Sequence, residues 1–408
     1  MNIGFVSTRF SGTDGVSLEA QKWAEAFTRI GHKCFWFSGL SDRPDKVSMV
    51  DPLAFFGHPE IQGINDQVWN SPIIASPIKE TIASATLRLR QSIKSFCQRF
   101  KIDLLIPQNA LTIPMNLPLG IALTEFIDST GFPTVAHHHD FHWERERFSG
   151  SGVLPYLDKA FPPSLPSIKH VVINSKASKQ LRTRLGLSSV LVPNVMDFGQ
   201  PPTSIARFGL KSELGFSPED ILFLQPTRVV PRKGIEHAVE LISRLNNPAI
   251  KLVISHESGD EGHGYLQSLE AFARDKAVDL RLIGDKVGNF PESICTLEEL
   301  YPLADFVTYP SLYEGFGNAL LETVYFRKPA LVNRYPVYID DIEPVGFDFV
   351  TMDGKITDTN VADVQSLLAS PARIVSTTES NYQLGKNHYS FERITTPLIT
   401  TLSAGPSD

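Results

Sequence analysis

Short apolar runs alternate with helical patterns along most of the chain. Ile3 to Ser7 reads as a strand, Val16 to Ile30 as an amphipathic helix, and Lys33 to Phe37 as a second strand. Gly31 stands where a helix ends on a left-handed residue. From about residue 40 to 80 the chain is rich in Pro, Asp, Ser and Gly, which predicts long loops with little regular structure. A helix from about Thr86 to Phe100 then leads into a strand from Asp103 to Pro107. Further strands are expected at Thr134 to His138, at His170 to Ile173 and near Val190 to Val192.

The second half repeats the rhythm. Ile221 to Gln225 reads as a strand and Ile235 to Leu245 as a helix. Lys251 to Ser255 is a strand, followed by a helix around Tyr265 to Lys276. Leu280 to Ile283, Phe306 to Tyr309 and Ala330 to Val332 complete the strand set. Strand–helix alternation of this kind means parallel sheets covered on both faces. The expected fold is α/β, with two Rossmann-like doubly wound domains facing a cleft. The polar, Pro-rich stretch from Met196 to Ser204 marks the boundary, giving domains at residues 1–197 and 198–388. Ligands of such sheets bind beyond the carboxyl ends of the strands, so the residues that follow each strand are the ones to inspect.

Composition narrows the function. The chain has 408 residues, is 42% hydrophobic and carries a net charge of −7, so it lacks the basic field of a nucleic-acid binder. Cys34, Cys97 and Cys295 are odd in number and lack CxxC spacing. That argues against a disulfide framework or a zinc site and fits a reducing cytoplasm. The N-terminus has no basic n-region and reads as a strand, not as a signal peptide. No apolar stretch approaches the roughly 18 residues of a membrane span. That test leaves peripheral membrane contact through a surface helix open.

Four segments could carry chemistry. In Tyr309 to Glu322 a strand ends at Tyr309 and a helix begins near Gly317 or Asn318. The glycines between allow close backbone approach, and the helix N-terminus suits an anion. Glu314 and Glu322 are acceptors that suit the hydroxyls of a ribose and a sugar. The plainer reading is a helix start with acidic residues complementing its dipole. In Gln225 to Gly234 three cations, Arg228, Arg232 and Lys233, fall within six residues after a strand. Cations fixed there would stabilise a diphosphate as it departs. The alternative is a solvated basic loop.

Thr134 to Glu144 gathers four histidines and two carboxylates at a strand end. A metal site is tempting, but side chains alternate along a strand, so His137, His138 and His139 cannot all converge while extended. Sugar-hydroxyl binding is the favoured reading, and one or two of these histidines can be packing partners. Ser11 to Glu19 contains Gly12 and Gly15 between the first strand and helix. No G-x-G-x-x-G is present there, which disfavours a nicotinamide enzyme.

The sequence Glu-Gly-Phe-Gly-Asn-Ala-Leu-Leu-Glu, with Glu314 and Glu322 at its ends, resembles the signature of glycosyltransferase family 4, retaining enzymes of the GT-B fold. Arg228 and Lys233 resemble that family's diphosphate-binding cations. The Gly12 to Val16 loop resembles its first glycine-rich loop, and Val192 to Asp197 resembles its interdomain connection. The resemblance implies roles. Glu314 would contact hydroxyls of the transferred sugar, and Glu322 the ribose. Gly315, Phe316, Gly317, Asn318 and Ala319 would lie along the donor, with backbone N–H groups of the last three aimed at it. Gly15 would border the donor phosphate, with Asp14 and Val16 near the acceptor. A histidine after the Thr134 strand would bind the donor sugar; His139 or His138 fills that position, and the triple histidine leaves the register open. The last residues, about 389–408, would cross back onto the N-terminal, acceptor-binding domain, leaving the C-terminal domain to bind the donor.

Two departures stand out. Asp14-Gly15 replaces the family's usual Gly-Gly, and Asn333 to Ile342 is unlike the common pattern. The latter is similar to a subgroup that includes mannosylglucosylglycerate synthases. That implies GDP-mannose as donor and a glucosylated glycerate as acceptor, with Arg145 or Arg147 meeting its acid group; UDP-glucose is the other donor considered. No cofactor beyond the nucleotide-sugar co-substrate is required; magnesium is left open but is not implied. The partners expected are thus a nucleotide sugar and a small sugar-containing acceptor. The rival readings are a nucleotide-sugar epimerase, a glycoside phosphorylase, a non-catalytic sugar-nucleotide binder and a histidine-metal hydrolase.

Overall fold

The computed structural model describes residues 1–12, 14–202, 205–256, 263–288 and 291–395. The chain divides into two compact units. One comprises Met1–Val195 with 391–395, and the other Met196–Ser390. Residues 203–204 of the proposed boundary stretch, and 396–408 of the expected returning segment, lie outside the described residues.

The first unit is built on strands β1 (Asn2–Val6), β2 (Lys33–Ser38), β3 (Ser48–Val50), β4 (Leu104–Pro107), β5 (Thr134–His138), β6 (Ile168–Val172) and β7 (Ser189–Leu191). They form one sheet in the order β3-β2-β1-β4-β5-β6-β7, and every pairing is parallel. Helices cover both faces. On one side Leu105 and Ala136 pack with Ile82, Leu89, Ile93 and Phe96. On the other, Ile3, Phe5, Ile106 and Val135 pack with Trp23 and Phe27 of the helix Gly15–Arg29. Phe391 and Ile394 join this second cluster. The period-two alternation of the strands thus feeds two cores.

The second unit has β8 (Ile221–Gln225), β9 (Ile250–Ile254), β10 (Asp279–Leu282), β11 (Phe306–Tyr309), β12 (Ala330–Asn333) and β13 (Val350–Met352). Their order is β10-β9-β8-β11-β12-β13, again wholly parallel. In each sheet the winding reverses once, between β1 and β4 and between β8 and β11. At such a switch point the connections leave on opposite faces and open a crevice beyond the strand ends.

The stretch from 40 to 80, expected to be loop, is substantially ordered. It holds β3, a turn of 3-10 helix at Pro52–Ala54 and a helix at Pro59–Val68. Its polar residues are caps: Asp51 accepts from Leu53 N, and His58 from Glu60 N. Pro59 sits at the helix start, where its missing N–H costs nothing. Ile61, Ile64 and Val68 form the buried stripe. The next helix starts at Ser76, ten residues before the expected Thr86, and runs to Phe100. Turn-forming composition and capping chemistry use the same residue types, so composition alone misreads this stretch. The helices Leu117–Thr130 and Ser175–Leu185, and the strand β13, also lie outside the elements expected from the sequence.

Candidate active site

In the second unit the loops after β8 and β11 meet at the switch point. Gln225, at the end of β8, donates from Nε2 to Thr227 (2.7 Å), and its Oε1 accepts from Thr308 of β11 (2.8 Å). The loop then makes a 3-10 turn at Pro231–Lys233. Gly234 follows with φ +59°, and a Cβ there would stand 2.7 Å from the carbonyl oxygen of Pro310. The close approach of the two loops therefore depends on a glycine. Leu312 N donates back to Arg232 O at 2.9 Å.

These contacts bring Lys233, Arg232 and Glu314 together. Lys233 Nζ is ion-paired with Glu314 Oε1, and Arg232 Nη1 lies 3.2 Å from Glu314 Oε2. Lys233 and Glu314 are only 8% and 7% exposed. Burial alone would raise the Glu314 carboxyl, but Lys233 and Arg232 outweigh it and hold it below the usual range. Burial, seconded by Arg232 and Arg228, lowers the Lys233 ammonium despite its partner. Arg228 is exposed on the same loop. His256, just beyond β9, is held down to about 4 by burial, with Lys233 and Arg228 adding to the effect. Lys233 and Arg232 on Glu314, with Arg228 on the same loop, set three basic side chains against one carboxylate and leave positive charge for an anion to neutralise.

The helix Asn318–Tyr325 opens after Gly317, which has φ +128° and no side-chain cap. The loop before it is laced down: Tyr335 donates to Phe316 O (2.6 Å) and Asn333 Nδ2 to Ser311 O (3.0 Å). Gly315, Asn318 and Ala319 stay half-exposed at the helix start, while Phe316 is buried. Glu322, in the first turns, accepts from the Tyr301 hydroxyl at 3.0 Å. Burial, with Glu322 nearby, drives that phenol well above its usual range, so it remains a donor.

In the first unit, Asp14 caps the helix Gly15–Arg29. Its carboxylate accepts from Val16 N (3.1 Å), Ser17 N (3.2 Å) and Ser17 Oγ (2.6 Å), and pairs with Arg9. Its acidity at the glycine-loop position is therefore first a capping property. Gly15 is exposed and Val16 half-buried at this helix start; Thr13 lies outside the described residues.

The histidines separate as strand alternation requires. His137 stacks on Trp23 at 4.1 Å and meets the tilted His139 ring at 4.4 Å. His138 points to the opposite face, stacks on His170 and shares a hydrogen bond with it (Nε2 to Nδ1, 2.9 Å). Burial lowers His137 and His138 well below the ordinary imidazole value and His139 to about 4, with Asp140 and Asp14 resisting the shift at His139. His138 is fully enclosed, whereas His139 is half-buried near the Asp14 loop. Among the described residues no group of three metal-ligating side chains converges. Arg145 is ion-paired with Asp140, and Arg147 lies over the Phe148 ring at 4.6 Å.

Gln108, Asn109, His256, Tyr301 and Tyr335 were not singled out in the sequence. Gln108 and Asn109 directly follow β4, so the strand-end criterion reaches them. Tyr301 has no local signal, because it meets Glu322 only through packing.

Residues 208–390 match the family described as glycosyl transferases group 1. The chain is 31% identical over 432 residues to the mannosylglucosylglycerate synthase of Thermotoga maritima, covering 97% of this chain and 98% of that protein. The enzyme of the same name from Petrotoga mobilis is also 31% identical, over 87% of each chain. Among solved structures, sucrose-phosphate synthase from Thermosynechococcus elongatus superposes with a TM-score of 0.67 at 13% identity, covering 99% of this chain and 98% of that one. HepE of Anabaena, in complex with UDP and glucose, gives 0.66 at 14% identity, covering 99% and 100%. Identity of this extent along nearly the whole chain, on the two-domain α/β architecture of GT-B enzymes, places this protein in the glycosyl transferases group 1 family, as a glycosyltransferase that uses a nucleotide sugar.

Proposed function

We propose that the protein is a retaining mannosyltransferase that moves mannose from GDP-mannose to a hydroxyl of glucosylglycerate. The observation that carries the donor side is the cation cluster around Glu314 at the β8–β11 switch point. A nucleotide diphosphate leaves with growing negative charge, and Arg228 and Lys233 would neutralise it. Glu314, freed from part of its ion pairing by the arriving phosphates, would accept hydroxyls of the sugar, and Glu322 would hold the ribose. Gly315 to Ala319 would present backbone to the donor. The choice of mannose and of a glycerate acceptor is supported by the two relatives that carry the synthase name. UDP bound in HepE supports the nucleotide class more broadly.

In the first unit His139 is the better-placed histidine, because His138 is sealed against His170. We assign His139 to a hydroxyl of the transferred sugar. Gly15 would lie against the donor phosphate, Asp14 and Val16 would border the acceptor, and Arg145 and Arg147 would meet its carboxylate. The reaction breaks the bond from the anomeric carbon to the diphosphate oxygen and forms one to the acceptor oxygen on the same face. The acceptor's proton passes to a phosphate oxygen of the leaving group, and the enzyme's work is positioning and charge stabilisation. We place the protein in the cytoplasm, in keeping with three cysteines, Cys34, Cys97 and Cys295, that are odd in number and lack CxxC spacing.

The test is nucleotide release from GDP-mannose, UDP-glucose and ADP-glucose, each with and without glucosylglycerate, beside a Glu314→Ala control. Release from GDP-mannose that needs glucosylglycerate, and is lost in the control, is the expected result. Conversion of a donor to its epimer with no net nucleotide release would replace this reading with an epimerase, and phosphate-dependent cleavage of a glycoside to a sugar 1-phosphate would replace it with a phosphorylase.

A further inference from the structure

Gln108 directly follows β4 at the switch point of the first sheet and is fully buried. Its backbone is fixed on both sides: N donates to Val6 O at 2.8 Å, and O accepts from Ser7 Oγ at 3.2 Å. Its side-chain Oε1 lies 2.8 Å from His137 Nδ1 and 3.2 Å from His139 Nε2. Next to it Asn109 takes a left-handed backbone, φ +59°, which asparagine tolerates. Its Oδ1 accepts from His139 N at 3.0 Å, and its Nδ2 donates to Asp140 at 2.7 Å. The two residues thus hold both the backbone and the ring of His139.

A neutral imidazole carries one N–H and one lone pair, and the nitrogen that faces an acceptor takes the proton. Burial keeps both His137 and His139 neutral near pH 7. With Oε1 turned toward both rings and Nε2 buried without a partner, each facing imidazole nitrogen must donate, because a carbonyl oxygen only accepts; the reversed amide would select the opposite tautomers. His139 is then protonated on Nε2, and its Nδ1 keeps the lone pair.

We propose that Gln108 is a positioning residue for sugar transfer: it locks His139 in the Nε2-protonated tautomer, so that the ring meets its sugar as a hydrogen-bond acceptor through Nδ1. This rests on the assignment of His139 to a sugar hydroxyl. The hydroxyl at that position must donate. A deoxyfluoro donor, whose fluorine accepts but cannot donate, should bind poorly when the substitution falls there.

The experiment is long-range proton–nitrogen correlation on the full chain with 15N-labelled histidine, with His139 assigned by loss of its signals in His139→Asn. The expected spectrum shows His139 protonated at Nε2 and bare at Nδ1. Gln108→Met, similar in size but without hydrogen-bonding groups, should populate both tautomers. It should also raise the donor KM roughly tenfold, with kcat changed less. Protonation at Nδ1 in the wild type overturns the proposal, as does an unchanged tautomer and KM in Gln108→Met. If that variant fails to fold, the wild-type spectrum and the deoxyfluoro series still decide, because neither needs it. The expected spectrum without transfer from any donor would refute the functional reading and with it the role of Gln108 in transfer, while the tautomer assignment would stand.

Discussion

Replacing Lys233 with methionine should damage stability and chemistry together, and a second substitution should separate the two. Lys233 and Glu314 form a nearly buried ion pair. Removing the cation leaves a carboxylate in a poorly solvated site. Breaking a buried pair from one side costs about 3–5 kcal/mol. Arg232 stays 3.2 Å away but is 43% exposed, so it compensates in part and places the cost near the lower end, about 3 kcal/mol. For a unit of about 200 residues that lowers Tm by roughly 6–12 °C. In Lys233→Met/Glu314→Gln the orphaned charge is gone, so most of the lost stability should return. Nucleotide release should not return in the double variant, because the diphosphate has lost its buried cation; a deficit of at least roughly a hundredfold is expected. The assays are thermal unfolding of the full chain and donor turnover at saturating acceptor. A single variant within about 0.5 kcal/mol of wild type would refute the energetic argument. A double variant with near-normal turnover would refute the catalytic one.

Gly317→Ala should lower the Tm of the second unit by roughly 4–8 °C, from about 2 kcal/mol of strain. At φ +128° the new Cβ would stand 2.8 Å from the Tyr335 hydroxyl and 3.0 Å from that of Tyr309; an unchanged Tm would show that the loop has another way to sit. Acid should unfold the protein early. His139, His142 and His170 are pushed by burial to about 4, and His137 and His138 further, against about 6.5 in the unfolded chain. Their contribution is fully present above pH 6.5 and is lost as the pH falls toward 4, at about 1.4 kcal/mol per pH unit for each histidine. Urea unfolding at pH 7.5, 6 and 5 measures it, and a flat profile would contradict it. Neutral replacement of Arg145 and Arg147 should raise the acceptor KM and leave the donor KM in place; an unchanged acceptor KM would remove both residues from the acceptor's acid group.

The sequence by itself determined the strands that carry the site. β8 and β11 are legible to the residue because a strand buried on both faces is a largely apolar run, and Pro226 and Pro310 directly follow them; β5, polar in three of its five residues, is marked by the Gly131 to Pro133 turn before it. The loop chemistry after β8 and β11 was equally legible, since cations and glycines cluster locally at Arg228 to Gly234 and Glu314 to Gly317. The order of residues 40–80 was not legible, because Asp51, His58 and Pro59 are as suited to turns as to caps. Only tertiary structure decided the partners. Glu314 meets Lys233 across 81 positions of sequence, Tyr301 reaches Glu322 from a separate turn, and Gln108 reaches His139 from the neighbouring strand. Alternation forbids three adjacent histidines from sharing a face, yet it does not say which face holds an acceptor. That depends on sheet order, which puts β4 beside β5 and so sets Gln108 under His139 while His138 turns away to His170.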